Sequence, residues 1–246
     1  MDEQKLPLMT HFSDLRKVLI RSSFGIVICM MIAYAFVDHL LFWLKSPILK
    51  VMPTGSKLVV LSPAEYFFCE LKVAAVFGFV GASPWIFAQF WSFLAPGLYR
   101  HEKRLFFILV AQASISFIAG ALFARYIFFD PMFSFFVSTL PDDVSGSYSI
   151  GTLIGFSLTM LFAFGMVFQT PVVVILAIYS GLIEVSLLKA YRRHVFVLSF
   201  IIGAILTPPD PLTQVMLAIP CYLLFEIGIL IADLIFKKRK EALLTK

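Results

Sequence analysis

The chain has 246 residues, of which 60% are hydrophobic and 14% charged, and its mean hydropathy is +0.93. A protein of this size cannot cover so much apolar area with its own polar surface, so lipid is its expected solvent. The 20 Lys and Arg residues outnumber the 15 Asp and Glu residues. They lie in short segments between long apolar runs, which indicates membrane topology and argues against a nucleic-acid partner.

The residues that usually carry catalysis or hold metals form no recognisable site. The sequence contains no GxxxxGK[ST], HExxH or GxSxG motif. The cysteines are widely spaced in apolar surroundings, and the histidines stand mostly at span ends: Cys29, Cys69 and Cys221, with His11, His39, His101 and His194. We therefore expect no metal, no cofactor and no enzymatic activity. The polar start of the chain also argues against a cleaved signal peptide.

The apolar runs predict an all-α membrane protein forming a single domain over residues 1–246. A helix needs about 20 apolar residues to cross about 30 Å of hydrocarbon. Four runs meet this length, at 18–38, 70–93, 105–128 and 152–178, and two more follow at 194–206 and 215–236. The fifth run is short, so the last pair is either a hairpin that spans a locally thinned bilayer or one that turns back inside it.

The basic residues predict that both termini are cytoplasmic. They cluster before the first run, after the second, after the fourth and in the tail, whereas the opposite loops carry only Lys45, Lys50 and Lys57. Lys and Arg are retained on the cytoplasmic side of a membrane. Arg21, Lys72 and Arg125 fall within or at the edges of spans, and we expect them to snorkel to the interface.

The loops on the side opposite the termini have different compositions. The first, residues 38–68, is expected to form short amphipathic pieces on the outer interface, anchored by Trp43, Tyr66 and Phe67. The second contains Asp142, Asp143 and a Gly-Ser-rich stretch. We expect it to be a solvated cap.

Two polar residues lie inside apolar runs. Gln169 precedes Pro171 by two residues, which predicts a kink beside either a polar notch or a single interhelical hydrogen bond. Glu226 lies within the last run, where it either pairs with a cation at the span edge or has a functional role. Gln169 and Glu226 lining a permeation path would make the chain a secondary transporter or channel. That alternative predicts matching broken helices in the two halves, and no convincing pair exists.

Two acidic residues lie in the segments predicted to be cytoplasmic, Asp14 in HFSDLRK and Glu102 in PGLYRHEKRL. A carboxylate held by neighbouring helices can recognise a guanidinium through paired charge-assisted hydrogen bonds. The alternative is a weak local pair with Lys17 or Arg104 at helical spacing. Residue types alone favour the local pair.

Five stretches in order along the chain resemble the TatC family, the multispanning receptor of the twin-arginine protein translocase. They are HFSDLRK, SPAEYFF, SPWIFAQFWSFLAPGLYRHEKRL, FGMVFQTPVV and LTPPDPLTQVMLAIPCYLLFEIGI. The resemblance implies six transmembrane helices with a short fifth and sixth, arranged as a glove-like concave bundle. It also implies recognition of Arg-Arg signals on folded cargo at the cytoplasmic face of the bacterial inner membrane. Export then uses TatA-type and TatB-type partners and the proton-motive force, with several copies of the chain in the receptor complex.

The resemblance also assigns roles to single residues. Glu102 matches the glutamate that recognises the signal, and Asp14 stands where the family usually has glutamate, with a side chain one methylene shorter. Gln169 matches an intramembrane position that is Glu in some relatives and Gln in others. Further characteristic family positions are Arg16, Pro47, Phe93, Pro96, Tyr99 and Arg104. The leading hypothesis is that Asp14 and Glu102 bind the signal arginines while the groove beside Gln169 takes its apolar part.

Overall fold

The computed structural model describes the backbone of residues 8–53, 55–98, 103–139, 141, 146–179, 181, 183–207 and 210–244. Side chains are described for these residues except 8–12, 94–98, 103–106, 179 and 235–244. These parts of the chain are almost entirely helical, as the apolar runs predict.

The helices follow the apolar runs in order. The first half contains α1 (Leu8–Ala35), α2 (Val37–Val51), α3 (Pro63–Leu98) and α4 (Lys103–Phe123). A π-helical turn at Ala124–Phe128 joins α4 to α5 (Phe129–Ser138) without a break. The second half contains α6 (Ile150–Val167), α7 (Thr170–Tyr179), α8 (Val185–Ala190), α9 (Arg192–Leu206) and α10 (Pro211–Leu244).

Five helical segments of the described chain are long and apolar enough to cross a membrane. They are Ser13–Ala35, Pro63–Phe93, Phe107–Ser138, Ile150–Ile178 and Pro211–Leu234. The third runs past the expected end at residue 128, because the helix continues through the π turn into α5. α9 has 15 residues, about 22 Å of helix. Its length alone does not establish a sixth crossing.

Two short strands mark one end of the bundle. β1 (Lys57–Val59) precedes α3, β2 (Ser147–Ser149) precedes α6, and the two pair in parallel with Lys57 opposite Ser147. We call this the strand end, and the opposite end, where α1 begins and α10 finishes, the terminal end. The loop expected to form short amphipathic pieces contains the 15-residue helix α2 and then the strand β1. The second loop is joined to the first through β2, while its residues 142–145 lie outside the described chain.

Glycines let the long helices approach closely. α1 packs antiparallel to α3, where a Cβ on Gly78 would lie 2.6 Å from the Met30 backbone. α4 packs in the same way on α6, and a Cβ on Gly120 would lie 2.4 Å from the Phe164 carbonyl oxygen. Small residues at such crossings allow the backbone contact that drives helix association in lipid. The main core lies among α2, α3, α4, α5 and α6 and is rich in buried phenylalanine, including Phe117, Phe128, Phe129 and Phe164.

Candidate functional site

Asp14 and Arg16 lie on exposed turns of α1 near the terminal end. Asp14 Oδ1 lies 3.1 Å from the Lys17 ammonium, and both side chains are 61% exposed. The local pair considered from the sequence is therefore present. Exposed pairs of this kind contribute about 0–1 kcal/mol. The pair with Lys17 therefore leaves the Asp14 carboxylate available to bind another cation.

Contacts between α1 and α3 set the level of Asp14 in the bundle. The Trp85 indole Nε1 donates a hydrogen bond to the Arg21 carbonyl at 2.9 Å. The helices are antiparallel, so Asp14, seven residues before Arg21, lies about 10 Å nearer the terminal end. The same step along α3 leads to Ser92, beside the half-buried Phe93. Asp14 and Phe93 therefore lie at about the same level.

Four candidate residues lie in or beside the connection between α3 and α4. Tyr99 and Glu102 fall outside the described residues. Pro96 belongs to α3 and Arg104 to α4, but their side chains are not among those described. α3 finishes and α4 begins at the terminal end, the end that carries Asp14.

Pro47 lies inside α2 and is buried. Proline has no N–H, so the carbonyl four residues earlier, that of Trp43, lacks its usual helical partner. Two side chains replace it, with Ser46 Oγ donating at 3.0 Å and Arg125 Nε donating at 3.0 Å. Pro47 therefore leaves the Trp43 carbonyl free to accept a hydrogen bond from Arg125, a residue outside α2.

Arg125 is buried inside the protein, with 5% of its surface exposed. The expectation that it snorkels to the interface is wrong. Its Nη2 donates to Ser46 Oγ, and its guanidinium lies over the rings of Trp43 and Tyr126, at 4.9 Å and 5.2 Å from the centroids. Two aromatic faces and two hydrogen bonds favour the buried cation. Arg125 thus joins α2 to the π turn between α4 and α5.

The predicted kink at Pro171 is confirmed as a break between α6 and α7. Pro171 cannot donate to the Val167 carbonyl, and Thr170 Oγ1 donates to it at 2.7 Å. The half-buried Gln169 donates through Nε2 to the Ala113 carbonyl of α4 at 3.1 Å. The geometry therefore provides the interhelical hydrogen bond, which was one of the two expectations for Gln169.

Glu226 forms an ion pair, which is one of the two roles expected of it from the sequence. Its Oε2 lies 2.7 Å from Arg192 Nη2, at the start of α9, and its Oε1 accepts from the Tyr222 hydroxyl at 2.9 Å. Lys189 and Asp233 form a second pair between α8 and α10, also at 2.7 Å. The pairing of Glu226 with a span-edge cation is confirmed, and these contacts are separate from those of Gln169.

Glu65 is a structurally central residue that the sequence reasoning missed. It lies in the first turn of α3 at the strand end. Its Oε1 accepts from the Ser149 hydroxyl at 2.6 Å and from the Gly151 N–H at 3.0 Å, and its Oε2 accepts from the Leu61 N–H. Ser149 is the N-cap of α6, so the carboxylate faces the positive end of that helix. The available signal was an acidic residue two positions after the Ser-Pro pair of SPAEYFF.

Comparison with known proteins gives consistent results. The family model TatC, Sec-independent protein translocase protein, matches residues 10–220. The "Sec-independent protein translocase protein TatC" of Haemophilus influenzae is 35% identical over 240 residues, covering 98% of this chain and 94% of the relative. The protein of the same name from Aquifex aeolicus is 38% identical over 238 residues, covering 96% and 98%. A solved structure, "Crystal Structure of Twin Arginine Translocase Receptor- TatC in DDM", matches with a TM-score of 0.82 and 38% identity, covering 90% of this chain and 99% of that chain.

Proposed function

The chain belongs to the TatC family of Sec-independent protein translocase proteins, and we propose that it binds Arg-Arg signal peptides at the cytoplasmic face and starts the export of folded proteins. The observation that carries this proposal is the fold match to the twin-arginine translocase receptor, with a TM-score of 0.82 at 38% identity. The match extends over 99% of that receptor chain. This supports a helical framework in this chain like the one that the receptor has.

We place both termini in the cytoplasm of a bacterium whose inner membrane the chain crosses six times, as one domain over residues 1–246. α9 and α10 are the fifth and sixth spans. α9 reaches about 22 Å, so it crosses where the bilayer is thin. Arg16, Lys17, Lys189, Arg192 and Arg193 belong to the terminal end of the helices that carry them, and this charge supports a cytoplasmic terminal end.

The signal arginines bind between Asp14 and Glu102. An arginine guanidinium presents a planar fork that a carboxylate can accept with two hydrogen bonds, which lysine cannot offer. The exposure of Asp14 supports this role. Arg16 and Arg104 flank the two carboxylates in sequence and orient them.

Supporting residues hold this site in shape. Phe93, Pro96 and Tyr99 lie in the last turns of α3 and in the connection that leads to Glu102. Pro47 acts at a distance, through the Trp43 carbonyl that it frees for Arg125. The groove beside Gln169 takes the apolar part of the signal where the break between α6 and α7 interrupts the helix.

Export requires partners. TatA-type and TatB-type single-span subunits join the chain in the membrane, several copies of the chain assemble in the receptor complex, and the proton-motive force drives transport. The slight burial of Ser13–Ala35 supports lateral association, because only 6% of its most apolar window is buried inside the monomer.

Site-directed crosslinking of an Arg-Arg signal peptide to the chain in membranes tests the binding site. A photoreactive group on the signal, next to the arginine pair, should label the wild-type chain. Labelling should fall at least about tenfold in the Asp14→Ala, Glu102→Ala double variant, since two charge-assisted contacts are lost. Asp38→Ala and Glu70→Ala, which remove carboxylates from the strand end, are the matched control.

A signal with Lys-Lys in place of Arg-Arg should label the wild type only weakly. Its labelling should be as low as that of the double variant with the Arg-Arg signal. Undiminished labelling of the double variant would overturn the assigned site. Equal labelling by the two signals would overturn the proposed recognition of the guanidinium fork.

A further inference from the structure

A groove with one charged wall opens between α3, α6 and α9 in the half of the bundle nearest the strand end. Its volume is about 530 Å³, within the range of small-molecule sites. Lys72 provides the charge, and the other lining residues are apolar or small except for Thr159: Ala75, Val76, Gly155, Leu158, Phe162, Ala163 and Leu206.

The Lys72 ammonium has no anion to neutralise it in the described part of the chain, where no carboxylate lies within salt-bridge distance of it. Glu65, also on α3, is committed to Ser149, Gly151 and Leu61. Glu70 is two residues away and therefore faces a different side of the helix. A cation beside an apolar groove favours a ligand that carries an anion at one end and hydrocarbon at the other.

The depth of Lys72 fits the headgroup level of a bilayer. The segment Pro63–Phe93 has 31 residues, about 46 Å of helix, which exceeds the hydrocarbon thickness by roughly 16 Å. If that excess is shared between the two ends, the Lys72 Cα lies about 5 Å below the polar boundary at the strand end. A lysine stem at that depth brings its ammonium to the interface.

We propose that this groove is a phospholipid site, in which the lipid phosphate contacts the Lys72 ammonium and one acyl chain lies along Val76, Leu158 and Phe162. Gly155 leaves the space that the acyl chain enters, because a Cβ added there would meet no atom within 4 Å. The contacts of Glu65 with Ser149 and Gly151 fix the separation of α3 and α6 at the mouth of the groove. The bound lipid therefore completes the wall between α3 and α9.

Native mass spectrometry of the full chain in detergent micelles tests the site. The chain is titrated with palmitoyl-oleoyl phosphatidylglycerol, and the affinity for the first bound lipid is measured. Lys72→Gln should weaken that affinity about tenfold, the effect of losing one charge-assisted contact. Lys72→Arg should retain it, and Lys50→Gln, an exposed lysine of α2 at the same end, should leave it unchanged.

The apolar wall has its own variant. Gly155→Leu places a side chain in the groove from a position where a Cβ meets no atom within 4 Å. It should weaken binding of the first lipid by a similar factor while the thermal unfolding midpoint stays within about 2 °C of wild type. A diacylglycerol with the same acyl chains has no phosphate for Lys72 to contact. It should bind to the wild type as weakly as phosphatidylglycerol binds to the Lys72→Gln variant. Inorganic phosphate alone should not compete, which separates a lipid site from a free-anion site.

The proposal is overturned if Lys72→Gln binds the first phosphatidylglycerol as tightly as wild type, or if Lys50→Gln loses as much affinity. Displacement of the lipid by millimolar inorganic phosphate would assign the groove to a free anion. Binding of diacylglycerol equal to that of phosphatidylglycerol would remove the role of Lys72. None of these outcomes involves a signal peptide, so the test is independent of the proposed receptor function.

Discussion

Arg125 Nε donates a hydrogen bond to the carbonyl oxygen of Trp43 at 3.0 Å, although the two residues are 82 positions apart in sequence. The carbonyl is available because Pro47 has no N–H to offer it. One proline in α2 and one arginine in the π turn therefore form a single structural unit.

Arg125→Lys should destabilise the protein by about 2 kcal/mol. An ammonium cannot donate to the Trp43 carbonyl and to Ser46 from two fixed positions, nor stack flat on two rings. Thermal unfolding in detergent measures the loss, at roughly 2–4 °C per kcal/mol for a chain of this size. Arg193→Lys changes an exposed arginine at the terminal end and should have no effect beyond about 0.5 kcal/mol.

Pro47→Ala should interact with Arg125→Lys in a double-mutant cycle. Alanine restores the N–H that competes for the Trp43 carbonyl, so part of what Arg125 contributes is already lost in the Pro47→Ala background. The coupling should be at least about 1 kcal/mol. Additive effects would mean that the carbonyl is not shared as the geometry indicates.

Thr170→Val tests the hydroxyl at the break between α6 and α7. The Val167 carbonyl has lost its usual N–H donor to Pro171, so removing the Thr170 hydroxyl leaves it unpaired at a cost of about 1–2 kcal/mol. Thr159→Val is the matched control, because Thr159 Oγ1 bonds to the Gly155 carbonyl, which sits within an uninterrupted stretch of α6. An equal loss of thermal stability in the two variants would contradict this explanation.

Glu65→Ala should lower the thermal unfolding midpoint, since it removes a charged acceptor from two hydrogen bonds at the start of α6. Glu65→Gln should lower it less, because an amide oxygen still accepts from Ser149 or Gly151. Glu70→Ala, five residues along the same helix, serves as the control for loss of a carboxylate. The unfolding midpoint in detergent should be highest for Glu70→Ala, lower for Glu65→Gln and lowest for Glu65→Ala. Any other order would argue against the role of Glu65.

The sequence predicted what depends on local pattern. The apolar runs, four of them judged long enough to span, include all five segments that are long and apolar enough to cross a membrane. Pro171 located the break in the fourth, and the charge of Glu226 pointed to a cation that proved to be Arg192. The position of α9 was predicted. Whether it crosses the membrane depends on the local bilayer thickness, which cannot be read from the length of a helix.

What could not be predicted depends on contacts between distant segments. The burial of Arg125 depends on the carbonyl and ring of Trp43, which belong to another helix, as well as on the neighbouring Tyr126 ring. The sequence around Arg125 therefore indicated only a span-edge cation. β1 and β2 pair across 87 intervening residues, and each is too short to give a pattern of alternation. Glu65 was missed for the same reason, because its partners belong to the start of α6.

Export of a folded reporter in cells that depend on this chain as their only TatC tests the central claim most directly. The reporter carries either an Arg-Arg or a Lys-Lys signal, and its fraction outside the inner membrane is measured. The receptor account predicts export of the Arg-Arg reporter, little export of the Lys-Lys reporter, and loss of Arg-Arg export in the Asp14→Ala, Glu102→Ala variant at unchanged chain levels. Equal export of both reporters, or full Arg-Arg export by the double variant, would contradict it.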